Sequence, residues 1–272
     1  RCSQDCCQCG NLAIGKSPPV DYKSDQDFFK ELEEPWKPRL PAKKFYVIRV
    51  DGRAFHTWTR GLQRPFDPKL REAMVDSAIK LASQVDGAIC CYTYSDEISV
   101  VFTDRLSEMS QVWFGGVVTK ISSIAASIIT ANFNSHFEDR PQAGFDGRVF
   151  CLDSSKEVER YLNYRSRDCY RNGINSICDT LFSHAELHGK NGFERAIMLG
   201  TKGVSLDEVD PPDLYGTYIS QEPQPARIEY KNKRTGETKV TEFIRNLWTP
   251  SHPELPGEQF VAKYKELQET AI

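Results

Sequence analysis

Two short stretches put carboxylates where strands ordinarily exclude them. Phe45-Tyr46-Val47-Ile48-Arg49-Val50 is an apolar run that closes on Asp51-Gly52-Arg53, and Cys90 to Phe102 is a second that carries Ser95-Asp96-Glu97 inside it. Ionised carboxylates are depleted in strands because burial strips their hydration. Two such sites on neighbouring strands suggest a shared cation, a pattern that suits two-metal phosphoryl chemistry. The same spacing admits a strand-end turn at Asp51-Gly52 and a surface acidic pair at Asp96-Glu97, and both readings stay open at this point.

The elements that must position these residues follow from periodicity. Phe45 to Val50 reads as a buried strand. Asp67-Pro68 supplies an N-cap and a first-turn proline, and Leu70, Met74, Ala78, Leu81 and Val85 mark a helix face, with Gly87 at its C-cap. Ala88 to Phe102 reads as a hairpin with Tyr-Ser-Asp-Glu near its turn. Trp113, Val117, Ile121, Ile124, Ile128 and Ala131 mark a second helix whose other face is small (Ser122, Ser123, Ala125, Ala126, Ser127). Phe145 to Leu152 is another strand, and Ser154-x-x-Glu157 a capping box opening a third helix. The order βαββαβ predicts an α+β, ferredoxin-like palm, an antiparallel sheet with helices packed on one face. Polymerase palms and cyclases share that architecture, with acidic sites on the first strand and the central hairpin, which strengthens the metal reading. The expected division is a tail and linker over 1–42, a catalytic palm over 43–205, and a C-terminal extension over 206–272. In that extension Ala226 to Tyr230 and Thr238 to Ile244 flank a basic tip, Lys231 to Arg234.

Composition narrows the classes. The 272 residues carry 35 basic and 38 acidic side chains, so nucleic-acid binding would need a local basic patch. No apolar run is long enough to span a bilayer. The chain begins without Met, which reads as a fragment or a processed form, and no secretory signal is recognisable. Cys90, Cys91, Cys151, Cys169 and Cys178 are scattered through apolar segments and suit a reducing cytosol. Cys2, Cys6, Cys7 and Cys9 lack paired Cys-x-x-Cys units, so a disordered tail is expected there rather than a zinc site.

Four ordered motifs then carry a family resemblance. Arg49-Val50-Asp51-Gly52-Arg53-Ala54-Phe55-His56, Tyr94-Ser95-Asp96-Glu97, Phe145-Asp146-Gly147-Arg148-Val149 and Tyr161 to Cys169 together resemble the tRNA-His guanylyltransferase family, over about residues 43 to 205. The resemblance implies an enzyme that adds GTP or other nucleotides to the 5′ end of tRNA in the 3′→5′ direction, with ATP as activating substrate. It implies two Mg²⁺ ions held by Asp51, the Gly52 carbonyl and Asp96, with Asp51 and Asp96 as the catalytic carboxylates. Glu97, next to Asp96, should point to the other strand face and is a supporting residue. Arg49, Gly52, Arg53, Ala54, Phe55, His56, Arg64, Ser95 and Lys120 are the expected nucleotide-binding residues. For His56 a helix-start hydrogen bond is an equal reading, and for Lys120 a solvated helix lysine is the alternative. Arg148, Arg165, Arg167 and Arg171, interleaved with Tyr161, Tyr164 and Tyr170, are candidates for RNA contact, against a salt-bridge network with Glu157, Glu159 and Asp168. The resemblance also implies tRNA and nucleoside triphosphates as partners, a homo-oligomer (a tetramer), no membrane, and a cytoplasmic location.

The sequence departs from the family at Tyr170-Arg171-Asn172-Gly173, where tRNA-His enzymes carry His-Ile-Asn-Asn, and at Arg64-Pro65-x-Asp67, where Lys-Pro-Asn-Asp is usual. Gly173 is expected to weaken its helix. These departures point toward the family's "-like" branch, which repairs truncated tRNA 5′ ends against the opposite strand as template. Two other readings share the carboxylates: a nucleotidyl cyclase-like enzyme on the same palm, and an RNA-binding protein without activity.

Overall fold

Odd and even residues of Phe45–Gly52 enter two different cores, as a strand covered on both sides requires. Tyr46, Ile48 and Val50 join one apolar cluster, and Phe45 and Val47 the other. The computed structural model describes residues 22–231, 234, 236 and 238–270. In chain order the elements are α1 (Tyr22–Glu33), β1 (Phe45–Gly52), α2 (Phe55–Trp58), α3 (Pro68–Ala82), β2 (Ala88–Tyr94), β3 (Glu97–Thr103), α4 (Val118–Ser135) and β4 (Phe145–Leu152). They continue with α5 (Ser155–Leu181), α6 (His184–Leu187), α7 (Gly192–Thr201), α8 (Pro211–Tyr215), β5 (Thr217–Lys231), β6 (Thr238–Ser251) and α9 (Pro256–Thr270). Among the described residues, those up to Pro38, with α1, form one compact unit, and those from Arg39 onward another.

The strands make one antiparallel sheet in the order β4-β1-β3-β2-β5-β6. The expected βαββαβ unit is there: α3 and α4 cover one face through Met74, Leu81, Ile121 and Phe133. Later helices add a second layer. Val158 and Leu162 of α5, with Phe260 and Tyr264 of α9, cover the opposite face. Thr217–Ser220 of β5 pairs with β2, so the C-terminal hairpin extends the same sheet. That hairpin is longer than the sequence suggested, pairing from Tyr218↔Ser251 to Lys231↔Thr238. Its tip residues Asn232, Lys233 and Thr235, and the cysteines at 2, 6, 7 and 9, lie outside the described residues. Among the described residues no helix is long and apolar enough to cross a membrane.

Helix ends show where periodicity succeeds. The Asp67 side chain accepts a hydrogen bond from the Leu70 amide, with Pro68 at the first position of α3. That helix ends at Ala82 with Ser83 as its C-cap, however, and Gly87 lies in the turn before β2 instead of capping α3. In α4 the buried stripe is Ile121, Ala125, Ile129 and Phe133, and Trp113 sits in a separate short turn. Apolar residues surround more than half of this helix, so spacing alone does not say which side faces the sheet. Ser154 caps α5 as expected, but the Glu157 carboxylate reaches back to the Asp153 amide, one residue earlier than a capping box.

Candidate active site

The carboxylates gather at one end of the central strands. Asp51 stands directly opposite Glu97 on β3 and Asp146 on β4. Directly opposed residues project to the same face, so three acidic side chains form a row across three strands. Two residues back along β1, Arg49 lies between Ser99 and Arg148. The Ser99 hydroxyl is 2.8 Å from the Tyr161 hydroxyl of α5, which identifies this as the α5-covered face.

Asp96 reaches the same point from the β2–β3 turn. Ser95 takes a left-handed φ of 52° there, so the chain reverses within Ser95-Asp96. The turn rests on β1, with the Gly52 amide donating to the Asp96 carbonyl at 3.1 Å. Residue 52 must be glycine for this contact: a Cβ there would lie 2.4 Å from the Phe55 ring and 3.0 Å from the Asp96 Cβ. Burial raises the Asp96 carboxyl above its ordinary range, and the charge of Asp51 raises it further, against a lowering hydrogen bond from its own backbone amide. A divalent cation between the two would remove that repulsion. Asp51, Asp96 and the Gly52 carbonyl are an all-oxygen donor set, which fits a hard cation. Among the described residues no group of three or more His, Cys, Asp or Glu forms a ready-made cage.

Glu97 does point away from Asp96, as neighbouring strand residues must, but this brings it onto the Asp51 face rather than out of the site. Its carboxylate accepts from Arg165 Nη2 at 2.6 Å and lies 3.9 Å from Arg49 Nε. Burial raises its pKa above the ordinary carboxylate value, and Arg165 and then Arg49 offset only part of that rise. Glu97 therefore holds two guanidinium groups beside Asp51.

The chain leaving Asp51 turns through Ala54, at a φ of 52°, into α2. Phe55 is buried beneath the turn, stacked on Trp58 at 5.1 Å, whereas Arg53, Ala54 and His56 are exposed. The Arg53 amide donates to the Gly144 carbonyl at 2.8 Å, Trp58 Nε1 to the Pro141 carbonyl at 2.6 Å, and Arg140 to the carbonyls of Trp58 and Arg60. A hollow bounded by Gly52, Ala54, Phe55 and Asp96 shares His56, Thr59 and Ser95 with a second cleft. That cleft continues past Arg64 to Arg71 of α3 and Asp213 of α8.

The structure thus gathers Gly52, Ser95, Asp96, His56 and Arg64 along the connected hollow and cleft, with Asp51 near enough for its charge to act on Asp96 and Arg49 linked to the Asp51 face through Glu97. Lys120 is not tied to it: its ammonium lies over the Phe114 ring at 4.6 Å, and among the described residues no contact links it to Asp51, Asp96 or Arg64. The basic cluster divides as well. Arg165 belongs to the site, Arg171 pairs with Asp168, Arg148 donates to Asp146 at 2.7 Å, and Arg167 is exposed. The expected network forms through Asp168 and Asp146 rather than Glu157 and Glu159. Gly173 does not interrupt α5, which runs unbroken from Ser155 to Leu181. Arg71 and Asp213 escaped the sequence reading, and Asp146 entered it only as part of a motif, not as a site residue. Strand alternation within Phe145-Asp146-Gly147-Arg148 could have signalled Asp146; nothing in the sequence joins Arg71 to Asp213.

Known proteins resemble the chain in sequence and in fold. The family model described as tRNAHis guanylyltransferase matches residues 26–153. A probable tRNA(His) guanylyltransferase of Mus musculus is 30% identical over 251 residues, covering 78% of this chain and 82% of that protein. A solved bacterial tRNA(His) guanylyltransferase-like protein in complex with ATP superposes with a TM-score of 0.75 at 29% identity, covering 88% of this chain and 97% of that one. A like-named bacterial structure in complex with GTP gives 0.72 at 28% identity, covering 89% and 98%.

Proposed function

The chain belongs to the tRNA(His) guanylyltransferase family, and from that premise we propose that it is a metal-dependent nucleotidyltransferase extending the 5′ end of tRNA in the 3′→5′ direction. The observation that carries the reading is Asp96 folded onto Asp51 across Gly52, at the mouth of a cleft lined by His56, Ser95 and Arg64. The 5′-phosphate of the RNA attacks the α-phosphorus of ATP and pyrophosphate leaves. The 3′-hydroxyl of a GTP then attacks the activated 5′-phosphorus and AMP leaves. Asp51, Asp96 and the Gly52 carbonyl would hold Mg²⁺, which when bound lowers the hydroxyl's pKa and neutralises phosphate charge. Glu97 orients Arg49 and Arg165, whose guanidinium groups suit phosphate oxygens. His56 and Arg64 border the cleft that receives the nucleotide. The enzyme is proposed as a cytoplasmic homo-oligomer, a tetramer by family resemblance.

The substrate favoured here is a tRNA lacking its first 5′ nucleotide, extended against the opposite strand. The departure at Tyr170 to Gly173 supports it, because those residues pack against α8 and carry neither the His nor the last Asn of the tRNA-His enzymes. The test supplies α-labelled GTP, ATP and Mg²⁺ with full-length tRNA-His or with a 5′-truncated tRNA. Label mainly on the truncated tRNA is expected. Preference for tRNA-His would overturn the repair assignment, and labelling of neither would overturn the enzymatic reading.

A further inference from the structure

The stretch that departs from the family pattern is the seat of α8. A Cβ at residue 173 would come within 2.7 Å of the Asp213 carbonyl oxygen and 3.1 Å of the Leu214 side chain, so glycine admits an approach that any larger residue would block. Tyr170 stacks on Tyr215, ring centroids 5.7 Å apart and planes within 18°. From the sheet, the Tyr92 hydroxyl donates to the Tyr215 carbonyl at 2.7 Å. Held on both sides, α8 presents Asp213 to α3, where its carboxylate accepts from Arg71 Nη1 at 2.7 Å; Asp210 lies 3.8 Å from Arg71 Nη2.

Arg71 and Asp213 both line the second cleft, away from its shared border with the Gly52–Asp96 hollow. If the triphosphate sits with the carboxylates, the nucleoside extends toward Arg71. A guanidinium has five N–H donors in a planar fork, and Asp213 occupies only part of them. The remainder match the acceptor edge that a purine presents, above all the O6 and N7 of guanine.

We infer that Arg71, held in place by Asp213 of α8, contacts the nucleoside end of a purine nucleotide in this cleft. Asp213 and Gly173 are positioning residues that act through Arg71. The inference rests on the nucleotide-binding reading of the cleft and adds to it a recognition group contributed through the C-terminal segment.

Calorimetric titration of the full chain with GTP and with GMP, in Mg²⁺, tests it. Loss of a hydrogen bond to a charged donor weakens binding by about tenfold or more. Arg71→Ala is expected to weaken GTP and GMP by the same factor of about ten, because the lost contact is to the nucleoside. Asp213→Asn and Gly173→Asn should weaken both ligands in the same direction and by less. Asp51→Ala should weaken GTP far more than GMP. Arg71→Lys retains a cation beside Asp213 and serves as the folding control, with an unchanged melting temperature and partial recovery of affinity. Wild-type affinity in Arg71→Ala for both ligands would overturn the inference and leave the cleft reading standing. A loss confined to GTP would move Arg71 to the triphosphate end and overturn it too. A wild-type chain that binds neither nucleotide would overturn the cleft reading, and this inference with it.

Discussion

Replacing Glu97 by alanine should cost the fold more than any other single change at the site. Its side chain is 13% exposed, and its partners Arg165 and Arg49 are 15% and 25% exposed. Removing one partner of a buried ion pair costs about 3–5 kcal/mol, because the other charge stays desolvated. Asp168, 3.4 Å from Arg165 Nη1, remains as a second partner, which places the expected loss at the lower end, about 3 kcal/mol. For a chain of this size that lowers the melting temperature by roughly 6–12 °C. Glu97→Gln keeps an acceptor for Arg165 and removes a charge that burial disfavours despite Arg165 and Arg49, so little or no loss is expected. Differential scanning fluorimetry on the three proteins reads the order directly, and single-turnover nucleotide transfer reads the consequence for Arg49 and Arg165. A Glu97→Ala protein melting within about 2 °C of the parent would refute the reasoning, since no mechanism here lets two half-buried guanidiniums lose their shared carboxylate at so small a cost.

Asp96→Asn should behave in the opposite way. A carboxyl whose folded pKa is raised contributes its stability below the unfolded value and loses it as pH rises through the folded one, so at pH 7 its charge disfavours the fold. In chelator the variant should melt no lower than the parent while nucleotide transfer is abolished; a clear drop in melting temperature would contradict this. Gly52→Ala should remove most activity by displacing Phe55 and Asp96, a loss visible in turnover at saturating nucleotide. Arg140→Ala removes two carbonyl contacts and the guanidinium lying 4.8 Å over the Trp58 ring, so a loss of about 2 kcal/mol and a raised KM for nucleotide are expected. Burial pushes the Cys90 thiol up to about 12 and raises Cys91 and Cys169 as well. Alkylation of the native protein at pH 8, mapped by mass spectrometry, should modify half-buried Cys151 before any of these three.

What was legible in the sequence was whatever local periodicity or local chemistry records. The β1 run, the Asp67-Pro68 start of α3, the β2–β3 hairpin and the β4 strand all carry patterns shorter than twenty residues, and all four are found in the structure. That Asp96 comes within reach of the Asp51 charge was legible because the palm order brings β1 beside β3. Glu97 was harder. Alternation correctly turned it away from Asp96, but only the register shows that this places it opposite Asp51. The second helical layer was missed because α5 and α9 are joined by more than seventy residues that include the hairpin. Gly173 was read through helix propensity, whereas its role is tertiary: it lies under the Asp213 carbonyl, 40 residues further along the chain. The Arg71–Asp213 pair spans 142 residues and leaves no trace in any local window.

The measurement that bears most directly on this account is the position of label in a tRNA carrying a 5′-monophosphate and lacking its first nucleotide, after incubation with α-labelled GTP, ATP and Mg²⁺. Nuclease digestion separates the 5′-terminal nucleotide from the rest. The account predicts label in that terminal nucleotide, lost on chelation of the metal and in both Asp51→Ala and Asp96→Ala. Terminal labelling that survives intact in Asp96→Ala, or label at the 3′ end alone, would contradict it.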